Sequence, residues 1–149
     1  MTNMSREQLI KDIEAVFGPL AYPSGPLTDS CYDEGIAAFF SGKRWQELTI
    51  IELRRYSAAL SFLQPEAFRY FLPAFMRAEL IDPASADVIG QSIVYKFAEP
   101  EAFWAATYEQ RLALFSAAEK RVILEFLDYM QTTYGQFEDD VIYAASRLL

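Results

Sequence analysis

The fold is decided by residues 65–76, which read PEAFRYFLPAFM. The apolar side chains of this stretch recur every three or four residues, so they form a wide apolar arc on one α-helix. They are Ala67, Phe68, Phe71, Leu72, Phe75 and Met76. We expect this arc to be core, with Arg69 and Tyr70 facing outward. Pro65 suits the first helical position, whereas Pro73 lies inside the pattern and predicts a kink or a division of the helix.

Three further helix starts are marked by Ser or Thr followed three residues later by Glu or Gln, the pattern of a capping box. The pairs are Ser5 with Gln8, Thr49 with Glu52, and Ser116 with Glu119. Hydrophobic spacing extends the prediction to the rest of the chain. The predicted helices cover 5–17, 31–40, 49–63, 65 onward, 84–97, 99 onward, 116–134 and 137–149. Residues 92–97 would also fit a short strand, but helix is favoured.

These elements predict an all-α fold, a single-domain bundle of about seven or eight short helices packed orthogonally over residues 1–149. The chain is 52% apolar and 15% aromatic, which is typical of a well-packed core that needs no disulfide or metal. Cys31 is the only cysteine and fits a reducing compartment. It has no basic neighbour in sequence, so we interpret it as a small buried residue rather than a reactive thiol.

The predicted location is the cytoplasm. Residues 1–14 carry several charged side chains and lack the continuous apolar stretch of a signal peptide. Apolar runs such as 36–40 and 71–76 are far too short to cross a bilayer. We therefore expect no membrane association.

The charge of the chain bears on its partners. The net charge is −8, so nucleic acid would be repelled and a basic protein partner would be attracted. The alternative is that the charge serves solubility alone. The sequence does not predict an oligomeric state.

Several chemistries are disfavoured by composition. The chain has no histidine, which removes the Ser-His-Asp and Cys-His mechanisms and the usual zinc sites. The six glycines are too far apart for a dinucleotide fingerprint or a phosphate loop. Adjacent carboxylates, as at 33–34 and 138–140, do not face each other on a helix. We therefore predict no catalytic residue, no metal ligand and no cofactor, and a carboxylate–metal enzyme is the least favoured alternative.

Two sets of candidate binding residues remain. An acidic and aromatic partner-binding surface is predicted from Tyr32, Asp33, Glu34, Glu138, Asp139 and Asp140. An alternative ligand-binding site for an anionic group is predicted from Trp45, Arg54 and Arg55. Each set also has a structural explanation. Residues 138–140 suit the start of a helix, the arginines suit a solvated helix edge, and Trp45 and Trp104 suit core or boundary packing.

Two segments carry a resemblance to a known family. Residues 42–49 read GKRWQELT, and residues 57–75 read SAALSFLQPEAFRYFLPAF. Together they resemble a small bacterial family known only as a domain of unknown function, and this resemblance implies no activity, ligand or site. In size and charge the chain is also similar to immunity proteins of toxin systems. We therefore expect a non-catalytic protein-binding module, specifically an immunity-like protein that neutralises a toxin. The alternative is a small-molecule-binding or regulatory helical domain.

Overall fold

The computed structural model describes residues 5–29 and 32–149. In this part of the chain the helices are α1 (Arg6–Phe17), α2 (Ile36–Phe40), α3 (Ile50–Arg55), α4 (Ala59–Phe62), α5 (Pro65–Ile81), α6 (Pro83–Ala86), α7 (Ile89–Phe97), α8 (Ala105–Leu114), α9 (Ala117–Tyr134) and α10 (Glu138–Leu148). Short 3-10 turns lie at Trp45–Glu47 and Ala102–Trp104. The interpretation of Cys31, and the start of the helix predicted over 31–40, lie outside the described residues.

The all-α prediction is confirmed, with more helices than expected. The helix predicted over 49–63 is divided into α3 and α4 at Tyr56, whose backbone has φ −108° and ψ 31°. The helix predicted over 84–97 is divided into α6 and α7 at Asp87, which has a positive φ of 56°. A right-handed helix requires a negative φ, so it cannot continue through this residue. Residues 92–97 are helical, as favoured.

The predicted helix caps are confirmed. The Thr49 hydroxyl accepts the Glu52 N–H at 3.2 Å, and the Glu52 carboxylate accepts the Thr49 N–H at 3.0 Å. Ser116 and Glu119 form the same reciprocal pair at the start of α9. Ser5 caps α1 by accepting the Gln8 N–H, but the Gln8 side chain donates to Asp12 instead of completing a capping box. Each such cap contributes about 1 kcal/mol by satisfying backbone donors that have no partner inside the helix.

Helix α5 is the centre of the core. It packs against α1, α3, α6, α7 and α8, and most of its side chains are buried, on all sides of the helix rather than on one arc. Pro65 occupies its first turn, as predicted. The expected division at Pro73 is wrong, because α5 is one continuous helix from 65 to 81. The helices packed around it stabilise it despite the hydrogen bond that the proline removes.

The expectation that Tyr70 faces outward is also wrong. Tyr70 is buried, and its hydroxyl accepts the backbone N–H of Trp45 at 3.3 Å. Its ring contacts those of Tyr22 and Phe71 edge to face. The segments before α2 and α3 therefore cover a face of α5 that the local pattern predicts to be exposed. Arg69 stays partly exposed and is paired with Glu119.

One hydrophobic cluster extends through the described helices, from Leu9 in α1 to Leu148 in α10. Burying a large side chain such as Phe71 contributes about 1.5–3 kcal/mol relative to leaving it exposed. In the described residues the isolated β-type pairing is a single bridge between Thr28 and Leu63. No helix of the described ranges has the length and apolar character needed to span a bilayer.

Candidate functional site

A surface pocket of about 270 Å³ lies where the end of α7 meets α8. The segment 98–101 and the following 3-10 turn connect these two helices and form one wall, while α4 and α5 close the base. We call it the α7–α8 pocket. Five of its fourteen lining residues are aromatic, and charged side chains from α7 and α8 line it as well. A concave site that combines apolar walls with a few polar groups is typical of small-molecule binding.

Arg111 is the most unusual residue of the α7–α8 pocket. It is only 7% exposed, on the face of α8 that packs against the core. One terminal nitrogen of its guanidinium donates to the Leu63 carbonyl at 2.7 Å, and the guanidinium carbon lies 4.0 Å from the centre of the Phe68 ring. Its Nε has no acceptor among the described residues. Burial lowers the pKa of Arg111 to about 10, since water no longer solvates the charge.

Lys96 supplies a second positive charge to the same pocket. It lies in the last turn of α7 and is partly buried. Burial, and then the charge of Arg111, lower the pKa of Lys96. Glu99 and Glu101 lie exposed on the rim of the pocket, but no carboxylate of residues 5–29 and 32–149 forms an ion pair with Lys96 or Arg111. Two partly or fully buried cations therefore line one pocket without an ion-pair partner among the described residues, which is electrostatically unfavourable.

The aromatic walls of the pocket differ in exposure. Tyr108 is buried, and its hydroxyl donates to the Phe97 carbonyl at 2.9 Å. Burial raises the pKa of Tyr108 to about 12, so the phenol stays neutral. Trp104 is 46% exposed at the mouth of the pocket. Its ring packs edge to face against Phe103, which is almost fully exposed. The pocket therefore has a buried aromatic wall at Tyr108 and an exposed aromatic side chain, Trp104, at its mouth.

The predicted ligand site at Trp45, Arg54 and Arg55 is not assembled. Trp45 is fully buried, its indole N–H donates to the Phe17 carbonyl at 3.3 Å, and Arg77 stacks over its ring. Trp45 is therefore a core residue, which corrects its assignment to a ligand site. Arg54 and Arg55 are exposed at the end of α3 and do not line the α7–α8 pocket. Arg54 pairs with Asp87 at 3.2 Å.

The predicted acidic surface is only partly exposed, and Asp33 requires a correction. Asp33 is buried. Its carboxylate accepts the Thr28 hydroxyl at 2.6 Å and the N–H groups of Gly35 and Ala37 at 3.0 Å. These hydrogen bonds, that from Thr28 first, lower the pKa of Asp33. Asp33 therefore stabilises the turn that precedes α2 and is turned away from any partner.

The other predicted acidic and aromatic residues lie nearer the surface. Tyr32 and Glu34 are exposed beside that turn. In the first turn of α10, Glu138 and Asp139 are exposed and Asp140 is partly buried. Helix α10 packs on α7 and α9, so the two groups belong to different elements of the fold.

Comparison with known proteins places the chain in a family. The sequence model of a family of unknown function, DUF6714, matches residues 27–145. The chain belongs to this family. The resemblance to a family of unknown function is thereby confirmed. No curated protein and no solved structure matches the chain. The DUF6714 match includes Lys96, Trp104 and Arg111, so the whole α7–α8 pocket lies within the family region.

Sequence reasoning missed the main residues of this DUF6714 pocket, although one signal was present. Arg111 stands between Tyr108 and Leu112 on the apolar stripe that continues to Phe115, so it shares the buried face of α8. A charged residue on a core-facing stripe is the informative exception. Lys96 gives no comparable signal, since a lysine in the last turn of a helix is common.

The DUF6714 chain shows no group of three or more His, Cys, Asp or Glu side chains that could hold a metal ion, within the residues that the structure describes. The carboxylates nearest to the α7–α8 pocket, Glu99 and Glu101, are solvated rim residues.

Proposed function

We propose that this DUF6714 protein is a non-catalytic binding domain that holds a small molecule in the α7–α8 pocket. The observation that carries the proposal is the pocket itself, in which two cationic side chains converge between aromatic walls. Small-molecule sites use directed polar groups beside apolar walls to orient a ligand, and this pocket offers both kinds of group in similar amounts. The pocket lies entirely within the family region.

Binding is favoured over catalysis by the hydroxyl groups of the pocket. Ser61 and Thr107 line it, and a nucleophilic mechanism would need one of them to be activated by a neighbouring base. Neither hydroxyl takes part in a hydrogen bond to a carboxylate or a lysine in the described part of the chain. Tyr108 stays protonated at neutral pH and serves as a wall.

The test uses the two tryptophans, because Trp104 borders the pocket and Trp45 is buried away from it. Their indole N–H signals are resolved by two-dimensional ¹H–¹⁵N NMR and assigned with Trp104→Phe. A set of small aromatic compounds, neutral and charged, is added in turn. We expect at least one compound to shift the Trp104 signal in a saturable manner and to leave Trp45 unchanged. A set that shifts neither signal contradicts the proposal.

A second candidate is the immunity-like function, a cytoplasmic module that neutralises a basic toxin through an acidic surface. It is favoured by the carboxylates of Glu34, Glu138 and Asp139, which are exposed and form no ion pair among the described residues. Such charges accelerate the association with a basic partner.

The second candidate is tested by capturing partners from the native cells with a tagged chain. Glu138→Lys combined with Asp139→Lys is compared with Glu47→Lys combined with Asp128→Lys, which makes the same change in net charge at two other exposed positions. We expect a single basic partner to be lost with the first pair and kept with the second, and its toxicity to be suppressed by co-expression. Equal retention of the partner by both variants would remove this surface from consideration.

A further inference from the structure

We propose that the ligand of the α7–α8 pocket is a small organic anion, whose carboxylate or phosphate group binds between Lys96 and Arg111 while a flat apolar body packs against Trp104. This inference rests on the proposed binding function and adds the chemical class of the ligand. It is carried by three observations, which concern Arg111, Lys96 and the aromatic wall.

Arg111 is buried by more than nine tenths and has an unmet donor. Its Nε has no acceptor, while one terminal nitrogen is held by the Leu63 carbonyl. A buried guanidinium is ordinarily paired with a carboxylate, and its planar fork fits carboxylate and phosphate groups in particular. Nε itself is enclosed by protein. A ligand would therefore be attracted by the positive charge of the guanidinium, which has no ion-pair partner among the described residues, and not by a hydrogen bond to Nε. Arg111 is one of the residues that line the pocket.

Lys96 lines the same pocket as Arg111 and carries a like charge, and the charge of Arg111 contributes to the lowered pKa of Lys96. The chain has 21 acidic and 13 basic residues, so an excess of basic residues does not explain why two cations line this pocket without an ion pair in the described part of the chain. A bound anion would relieve the repulsion and supply the ion-pair partner that both groups lack within the described residues. Glu99 and Glu101 on the rim oppose ligands with several negative charges, so a single compact anionic group is the better fit.

The aromatic residues of the lining indicate what the uncharged part of the ligand is. Phe68 already stacks on one face of the guanidinium at 4.0 Å, and the buried Tyr108 closes the inner wall. Trp104 and Tyr95 are each about half exposed at the mouth of the pocket. Aromatic side chains at this exposure offer ring faces and edges to a flat apolar group. Charge and shape together therefore point to an aromatic or similarly flat molecule with one acidic group.

The experiment compares four probes of matched size by isothermal titration calorimetry and by the NMR signal of Trp104. They are 2-naphthoate, 2-naphthyl phosphate, the neutral 2-naphthamide and the cationic 2-naphthylmethylamine. We expect an acidic probe to bind at least about tenfold more tightly than the amide, which is the effect of about 1.4 kcal/mol of added interaction. The cation should not bind. The tighter of the two acidic probes identifies the anionic group as carboxylate or phosphate.

Two variants assign the effect to the cations. Lys96→Met should weaken the binding of the preferred acidic probe by about tenfold and leave the amide unaffected. Lys11→Met, at an exposed position of α1, should change neither affinity. Arg111→Lys keeps the charge but loses the fork, and we expect weaker binding of the acidic probe. Because Arg111 is buried, this variant is interpreted only if its unfolding transition remains cooperative, whereas Lys96→Met decides the question without that condition.

The outcomes separate this inference from the proposed function. Equal binding of the amide and the acidic probes, or no effect of Lys96→Met, overturns the inference and leaves the pocket as a binding site for neutral molecules. If inorganic phosphate or acetate binds as tightly as the naphthyl probes, the inference that a flat apolar body contributes to binding is wrong. Failure of every compound to shift the Trp104 signal overturns both proposals.

Discussion

Arg69 and Glu119 form a bidentate ion pair, in which Arg69 Nε and Nη2 each donate to one carboxylate oxygen at 2.8 Å. The same carboxylate accepts the Ser116 N–H at 3.0 Å, so it joins the middle of α5 to the first turn of α9. Glu119 is almost fully buried, whereas the Arg69 side chain is 31% exposed. One carboxylate therefore serves as a helix cap and as an interhelical contact.

Arg69→Met tests this contact. The substitution leaves a buried carboxylate with only its capping hydrogen bonds, and we expect a loss of about 2–3 kcal/mol in the free energy of unfolding. This is below the usual cost for a buried pair, because the α9 dipole still favours the charge. Arg54→Met is the matched control, since both partners of the Arg54–Asp87 pair are more than half exposed, and it should cost at most about 0.5 kcal/mol. Denaturant unfolding measures both. Equal losses would show that the geometry of the Arg69 pair adds nothing.

Gly90→Ala is expected to destabilise the fold although alanine favours helix. A Cβ at Gly90 would overlap Glu79 Oε1 and lie 2.6 Å from its Cδ, and Glu79 is buried and hydrogen-bonded to Tyr134. The overlap should cost about 1–3 kcal/mol, against a gain in helix propensity of about 1 kcal/mol. Thermal or denaturant unfolding gives the net value. In the background of Glu79→Ala the same substitution should become neutral or stabilising, and a cost that persists there would contradict this account.

Glu79 also makes stability depend on pH. Burial raises the pKa of Glu79, and hydrogen bonds from Tyr134 (2.8 Å) and from the Gly90 N–H offset only part of that effect. A raised pKa in the folded state means that the proton stabilises the fold. This stabilisation is fully present below the unfolded pKa of 4.5 and is lost as the pH rises through the folded pKa. The wild type should therefore lose stability relative to Glu79→Gln as the pH rises above 4.5, as followed by urea unfolding at a series of pH values.

Asp33 supplies the control of opposite sign. Its hydrogen bonds, that from Thr28 first, lower its pKa below the usual 3.8, so its stabilisation is present above that value and is lost as the pH falls through the folded pKa. Relative to Asp33→Asn, the wild type should therefore lose stability on acidification. If the two variants show pH dependences of the same sign, the assignment of either carboxylate is wrong.

The parts of the fold that sequence predicts are those set by local chemistry. The capping boxes at Thr49 and Ser116 depend on side chains three residues apart, and both form. The parts that escape prediction depend on distant segments. Tyr70 is buried because the segment around Trp45 covers it, and Pro73 stays in a continuous α5 because the helices packed around α5 stabilise it despite the missing hydrogen bond. The hydrophobic periodicity of residues 65–81 predicts neither the burial of Tyr70 nor the continuity of α5 at Pro73.

The candidate site shows the same division. Charge and aromatic character in the sequence predict a site at Arg54, Arg55 and Trp45. These residues are close in sequence but do not share a pocket. The α7–α8 pocket instead joins Lys96 to Arg111 across two helices. It also depends on the segment 98–104, which connects the two helices, contains Pro100 and a 3-10 turn, and supplies several lining residues. The sequence alone does not predict how α7 and α8 pack against each other.

Lys96→Met should stabilise the ligand-free protein while it weakens the binding of the acidic probe. Burial and the nearby charge of Arg111 lower the pKa of Lys96, so at neutral pH the folded state holds a proton that it disfavours, and removing the charge removes that cost. Because Lys96 is partly solvated, we expect a gain of at most about 1 kcal/mol in the free energy of unfolding. Lys11→Met, at an exposed position, should stay within about 0.5 kcal/mol of the wild type.

Binding sites often hold residues that stability alone would not select. Urea unfolding of the two variants without ligand measures the difference, and a loss of stability for Lys96→Met alone would mean that Lys96 is held by favourable contacts and is not kept for a ligand.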